Sequence, residues 1–220
     1  MAIPEGLSFD ELNKLYSREK EGNLRSMPFE QYFGEMELSQ EQKDRRDETA
    51  MDVMAFVLIA LEEMYLNYME GSYGYMDVAE EMSRNYSSML ERMGIPLTAY
   101  FAAAHANDVA TEIALATMNN SEDPYFYSED RARLIAENEA NSIWNDSEHQ
   151  DAILTGKSRK TWHAIIDKVT RDTHKDINGT TVPINEPFRV GDSLLQYPRD
   201  ESLGADPKEI VNCRCSVSYS

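Results

Sequence analysis

The chain has 220 residues, of which 41% are hydrophobic, and 21 basic against 40 acidic side chains give it a formal net charge of −19. That length and apolar content suit one large domain or two small ones, and the charge opposes non-specific binding to nucleic acid or anionic lipid. The longest apolar run, Met54 to Leu61, falls far short of the roughly 20 residues of a membrane-spanning helix. The acidity is uneven: residues 1–120 carry a net −13 and residues 121–220 a net −6.

Residues 1–37 are polar and broken by Pro4, Gly6, Gly22, Pro28 and Gly34, which predicts an N-terminal arm with short helical pieces. Its first residues lack a basic start and an apolar stretch, so no signal peptide is expected. Ser8 and Glu11 have the spacing of a capping box, and Ser39 and Gln42 repeat it. From Ser39 the chain runs to Gly71 without Pro or Gly, predicting one helix of roughly 30 residues. Its middle is apolar nearly all round, the pattern of a helix buried between others. A second helix runs through "MDVAEEMSRNYSSMLERM" and stops at Gly94 and Pro96. The next, around "FAAAHANDVATEIALATM", puts Ala102, Ala106, Val109, Ile113 and Ala116 on one face. Ser128 caps a fourth. Residues 38–124 thus form a helical region suited to assembly contacts.

After Gly156 the pattern shortens. "KTWHAII", "TTVPI" and "SLLQY" read as strands, and "DKVTRDTHKDINGT" as a short helix or a hairpin arm turned at Asn178-Gly179. The closing "IVNCRCSVSY" alternates, with Val211, Cys213, Cys215, Val217 and Tyr219 on one face. The expected fold class is α+β: a helical N-terminal part followed by a small mixed α/β C-terminal domain with an antiparallel sheet, over residues 125–220.

Cys213 and Cys215 are the only cysteines. Between two valines they read first as core residues, buried, reduced and metal-free. A disulfide between residues i and i+2 would be badly strained. The sharper alternative is a zinc site in which His174 is the third ligand and His163 or Asp176 the fourth, although structural zinc favours wider Cys spacing. A nucleophilic Cys with His174 as base is weaker, because Arg214 sits on the opposite strand face. His105 reads as packed within its helix and His149 as solvated. Glu62-Glu63 and Glu80-Glu81 read as solvated helix faces, and the Met-rich stripes as helix packing. No catalytic signature emerges and no cofactor is expected. The one basic run, Lys157, Arg159 and Lys160, with Trp162 available to stack on a base, offers weak, salt-sensitive DNA contact at most.

The C-terminal motifs, in order, are Arg131 with Ala136, Glu137 and Asn138, then Trp162 and Asp167, Arg171 with His174, Gly179, Phe188, Tyr197-Pro198, and the closing Asn212-Cys213-Arg214-Cys215. This series over residues 125–220 resembles the phage Mu F-like family of minor head proteins. The resemblance implies a non-enzymatic minor capsid protein of a tailed phage or prophage, acting in head assembly, DNA packaging or release. Its partners would be the portal protein, the major capsid protein or both, and it would reside in the virion after assembly in the host cytoplasm. The alternatives are a small transferase or toxin-like enzyme, or a metal-binding regulatory module. Many members place a His shortly before the two cysteines; here Glu209, Ile210 and Val211 stand there instead.

Overall fold

The computed structural model describes residues 3, 6–19, 29–72 and 74–220. The stretch 20–28 of the expected arm lies outside them. The chain is α+β, with eight α-helices and five short strands among the described residues. Both capping boxes form. At α1 (Phe9–Glu19) the Glu11 amide donates to Ser8 Oγ at 3.3 Å and the Ser8 amide to Glu11 Oε2 at 3.0 Å. After α2 (Phe29–Gly34), the Ser39 amide donates to Gln42 Oε1 at 2.9 Å, starting the 30-residue α3 (Gln40–Met69). Helix α4 (Tyr75–Met93) ends on Gly94, whose φ of +60° is the left-handed cap that glycine adopts without a Cβ penalty.

A π-helical turn at Phe101–His105 precedes α5 (Ala106–Asn119), and a 3-10 turn at Pro124–Tyr127 leads into α6 (Glu129–Leu154). Strand β1 (Arg159–His163), helix α7 (Asp172–Asp176) and strand β2 (Thr181–Pro183) follow. Next come β3 (Phe188–Val190), β4 (Ser193–Leu195), α8 (Pro207–Ile210) and β5 (Ser216–Tyr219). The ambiguous segment before Asn178-Gly179 is thus a helix, α7. Strand β3 was not legible as a strand.

The chain divides into two compact units that are discontinuous in sequence. One holds residues 1–27, 50–94 and 102–136; the other holds 28–49, 95–101 and 137–220. Their limits do not follow the sequence boundaries at 37/38 and 124/125, and α3 and α6 each supply residues to both units.

In the first unit, α3 buries Ala50, Val53, Val57, Ala60, Leu61, Met64 and Tyr65, the three-and-four spacing of a single helical stripe. Contrary to the all-round burial expected, Met51, Ile59 and Leu66 are 55%, 65% and 51% exposed. Helix α4 answers with Val78, Ala79, Met82, Tyr86 and Met89. On α5, Ala106 and Ile113 of the expected series are buried, joined by Ala110, Ala114 and Thr117, while Val109 and Ala116 are half-buried and Ala102 is exposed. The π-helical turn holds one extra residue per turn and rotates the register, so Ala102 points to solvent. His105 is buried as expected, its ring edge-on to Tyr86.

The second unit contains an antiparallel sheet ordered β2-β1-β5 and a β3-β4 hairpin. Its core is Trp162, Phe188, Val190, Leu195, Tyr197, Cys213, Cys215 and Val217. Trp162 pairs with Val217 across β1 and β5 and meets the Phe188 ring at 5.2 Å. Residues 137–154 of α6 line this unit with buried polar groups, several of them partnered as buried polar atoms require, while His149 Nδ1 makes no hydrogen bond. Buried Asp146 accepts from the Thr98 amide at 2.8 Å and the Tyr197 hydroxyl at 2.5 Å. Fully buried Arg46 grips Glu148 through both Nη atoms at 2.9 Å and reaches Asn141 and Asn145 at 3.3 Å.

Candidate functional site

The two cysteines do not sit within a strand. Asn212, with φ +57°, breaks the extended chain after α8, and β5 starts only at Ser216. Val211 is therefore exposed rather than on the cysteine face. From Cys213 onward the chain is pinned from α6: Asn141 Nδ2 donates to the carbonyls of Cys213 at 3.2 Å and Cys215 at 3.5 Å. Asn138 Nδ2 donates to Asn212 Oδ1 at 2.9 Å. These contacts force both side chains inward.

There they meet His174 from the middle of α7. Its Nδ1 lies 3.3 Å from Cys215 Sγ and 3.5 Å from Cys213 Sγ. The three donor atoms all fall within 4.8 Å of one another. On the other side of the ring, Nε2 lies 3.2 Å from Glu209 Oε2, close enough for an ion pair but out of hydrogen-bond alignment. The Thr173 hydroxyl donates to the same carboxylate at 2.8 Å. The edge of Trp162 stands perpendicular to the imidazole at 5.8 Å. His174, Glu209 and both cysteines are at most 2% exposed.

The electrostatics are those of a coupled pair. The Cys213 thiol is held well below the usual thiol range, first by a hydrogen bond from Cys215 and then, against the cost of burial, by the hydrogen bond and charge of His174. Cys215 is pushed well above it by that same bond and by burial. For His174 the largest influence is burial, which disfavours its charge. Cys213 and then Glu209 outweigh it, and its pKa is raised.

At 1–2% exposure neither thiol is presented at the surface, as the nucleophile that the thiolate–imidazole contact would otherwise suggest requires. Both thiols are free. Two sulfurs and an imidazole nitrogen are donors that suit a soft divalent ion. Neither expected fourth ligand joins them. His163 is engaged elsewhere, with Nε2 on Ser218 Oγ at 2.8 Å and Nδ1 on Glu37 at 2.9 Å, and Asp176 is exposed. Glu209, which sequence reasoning passed over as a lost histidine, is instead the buried carboxylate of the cluster. Its signal was position: four residues before Cys213, inside the short helix that follows Asp206-Pro207.

The other motif residues are structural. Arg131, in the first unit, donates to Thr117 Oγ1 and the Phe126 carbonyl at 2.6 Å and to the Ile113 carbonyl at 3.1 Å, closing the C-terminal end of α5. Burial lowers its pKa to about 10. In the second unit, Arg199 donates to Asn138 Oδ1 at 2.6 Å, while Glu137 is half-buried beside it on α6. Gly179, at φ +77°, turns the chain from α7 into β2, and its amide donates to the Trp162 carbonyl at 2.8 Å. Arg171 caps the loop by donating to the Val211 carbonyl, and Arg214 pairs with Asp167.

The basic run changes meaning. Lys160 is 0% exposed, its Nζ bonded to Gln196 Oε1 at 2.6 Å, and burial lowers its pKa to about 8. Trp162 is equally buried and cannot stack on a base. Of the expected DNA contacts only Lys157 and Arg159 face solvent. His149, expected to be solvated, is buried between Tyr197 and Tyr219 on the continued α6. Burial, with the Lys160 charge second, lowers its pKa to about 4.

No solved structure matches this chain. Among curated proteins, it is 33% identical over 91 residues to an NAD(+)–arginine ADP-ribosyltransferase of Enterococcus faecalis, a match covering 40% of this chain and 18% of that protein. The chain thus spans less than a fifth of that relative's length. The phage Mu protein F-like family matches residues 69–218, a longer stretch than the motif series alone and one that takes in α4 and α5. The chain belongs to the phage Mu protein F-like family.

Proposed function

We propose that this protein is a structural minor head protein of a tailed phage or prophage that acts near the portal, in head assembly and in DNA packaging or release. Family membership supports the head-morphogenesis role. The observation that carries the finer reading is the exposed stripe of Met51, Ile59 and Leu66 on α3. These positions fall within about 80° of one another on the helix, given 100° per residue. An apolar stripe of that kind on an otherwise acidic chain marks a surface for protein contact. The portal or the major capsid protein is its natural partner, and the finished particle its location.

DNA plays a minor part in this reading. The net charge of −19 repels phosphate, and only two cations of the basic run are presented. Binding should be weak, sequence-independent and lost at physiological salt.

The test is a triple variant, Met51→Ser, Ile59→Ser and Leu66→Ser, expressed in place of the wild-type protein during head assembly. Its copy number in purified heads should fall at least tenfold while its Tm stays within about 3 °C. Normal incorporation would sink the reading. The transferase reading draws on the Enterococcus relative alone. Consumption of NAD+ by the purified chain would favour it, and none is expected, because the match covers only 18% of that relative.

A further inference from the structure

We infer that Cys213, Cys215 and His174 form a structural zinc site, with Glu209 as the residue that orients the histidine. Zinc bonded to thiolate at roughly 2.3 Å and imidazole at roughly 2.05 Å, in tetrahedral geometry, holds sulfur and nitrogen about 3.5 Å apart. The two sulfurs stand 3.3 and 3.5 Å from His174 Nδ1. One nitrogen thus faces both sulfurs, as a shared ion requires. A single imidazole N–H, by contrast, makes one good hydrogen bond.

The second observation is on the far side of the ring. A zinc-bound histidine usually turns its other nitrogen to a carboxylate, which fixes the tautomer and the ring plane. Nε2 lies 3.2 Å from Glu209 Oε2, at ion-pair distance though out of hydrogen-bond alignment, and that carboxylate is anchored by Thr173 Oγ1. Room for it is reserved by Gly191: at φ +58°, a Cβ there would come within 3.1 Å of both Glu209 Oε1 and Thr173 Cγ2.

The site is closed, so the ion is structural. It ties α7 to the segment entering β5 across 39 and 41 residues of sequence. With three protein donors rather than the four usual in a structural site, the fourth position falls to a non-protein ligand such as water. Glu209 stays outside the coordination sphere, on the nitrogen opposite the metal.

The full-length chain, expressed with zinc supplied, is the material for the test. Elemental analysis should find about one zinc per chain, and removal by a strong chelator should lower Tm by roughly 10 °C or more, restored by zinc. Cobalt loading should give thiolate-to-metal charge transfer and the strong visible bands of four-coordinate Co2+. Cys213→Ser and His174→Ala should lose the metal. Glu209→Gln should keep it with a Kd about 10- to 100-fold weaker, whereas a merely structural Glu209 would change Tm and leave Kd alone. If the cysteine variants fail to fold, chelation and reloading of the wild type decide. Wild-type protein with no bound metal and a Tm indifferent to added zinc would overturn the site. So would stoichiometric copper or iron in its place, or zinc retained by Cys213→Ser.

Discussion

The two units bury comparable elements by different means. The first packs helices through Met64, Met82, Met89, Tyr86 and a run of alanines, with flexible or small side chains filling the gaps. It leaves apolar side chains over on α3. The second has little sheet to work with. It fills its centre with Trp162 and Phe188 and closes around buried polar and thiol groups. The comparison teaches that a small sheet domain depends on a few irreplaceable side chains, whereas a helical layer spreads its stability over many.

The sharpest way to break that contrast is in the cores. Trp162→Ala removes the centre of the second unit and should cost about 3–5 kcal/mol, and Met82→Ala in the first about 2–3 kcal/mol, both measured by urea denaturation. Equal losses would mean that the helical unit is no more forgiving.

Arg131 comes next. Arg131→Lys keeps a cation but loses the fork that serves Thr117, Phe126 and Ile113 together, for an expected cost of about 2 kcal/mol. A loss confined to surface-mutation levels would show that solvent can close the end of α5 equally well.

His149 sharpens the comparison through pH. Its folded pKa of about 4 lies below its ordinary value of 6.5, so the folded state binds fewer protons than the unfolded one. Stability is therefore fully present above pH 6.5 and falls as the pH drops toward 4, by up to roughly 3 kcal/mol. His149→Phe should flatten that slope in a denaturation series between pH 7 and pH 4.5. An unchanged slope would point to the carboxylates instead.

The smaller effects lie in the first unit. Tyr75→Phe removes the 3.0 Å bond between the Tyr75 and Tyr127 hydroxyls and should cost about 1 kcal/mol. Ile59→Ser on the exposed stripe should shift stability by no more than about 0.5 kcal/mol, while weakening incorporation into heads. A large stability loss there would mean that the stripe belongs to the core.

Local signals were written plainly in the sequence. Capping boxes at Ser8 and Ser39, the left-handed stop at Gly94 and the run from Ser39 to Gly71 each depend on residues within a few positions of one another, and each appears where the spacing puts it. The family motifs were legible for the same reason, and the burial of the two cysteines was expected, although contacts from Asn138 and Asn141 on α6 are what turn them inward. What spacing could not carry was anything set by distant partners. The π-helical turn took Ala102 off the buried face of α5, and Asn212 at positive φ moved Val211 out of the strand pattern. Lys160 and His149 look like solvent residues in the sequence and are buried only because Gln196, Tyr197 and Tyr219 arrive from 36 to 70 residues away. Glu209 reads as a missing histidine until α8 brings its carboxylate beside His174. By itself the sequence determined the helices and their ends, because those follow from neighbouring residues. Only the tertiary structure decided which charged groups became core and which of them meet at the thiols, because burial and contact depend on chain segments that composition and periodicity do not bring together.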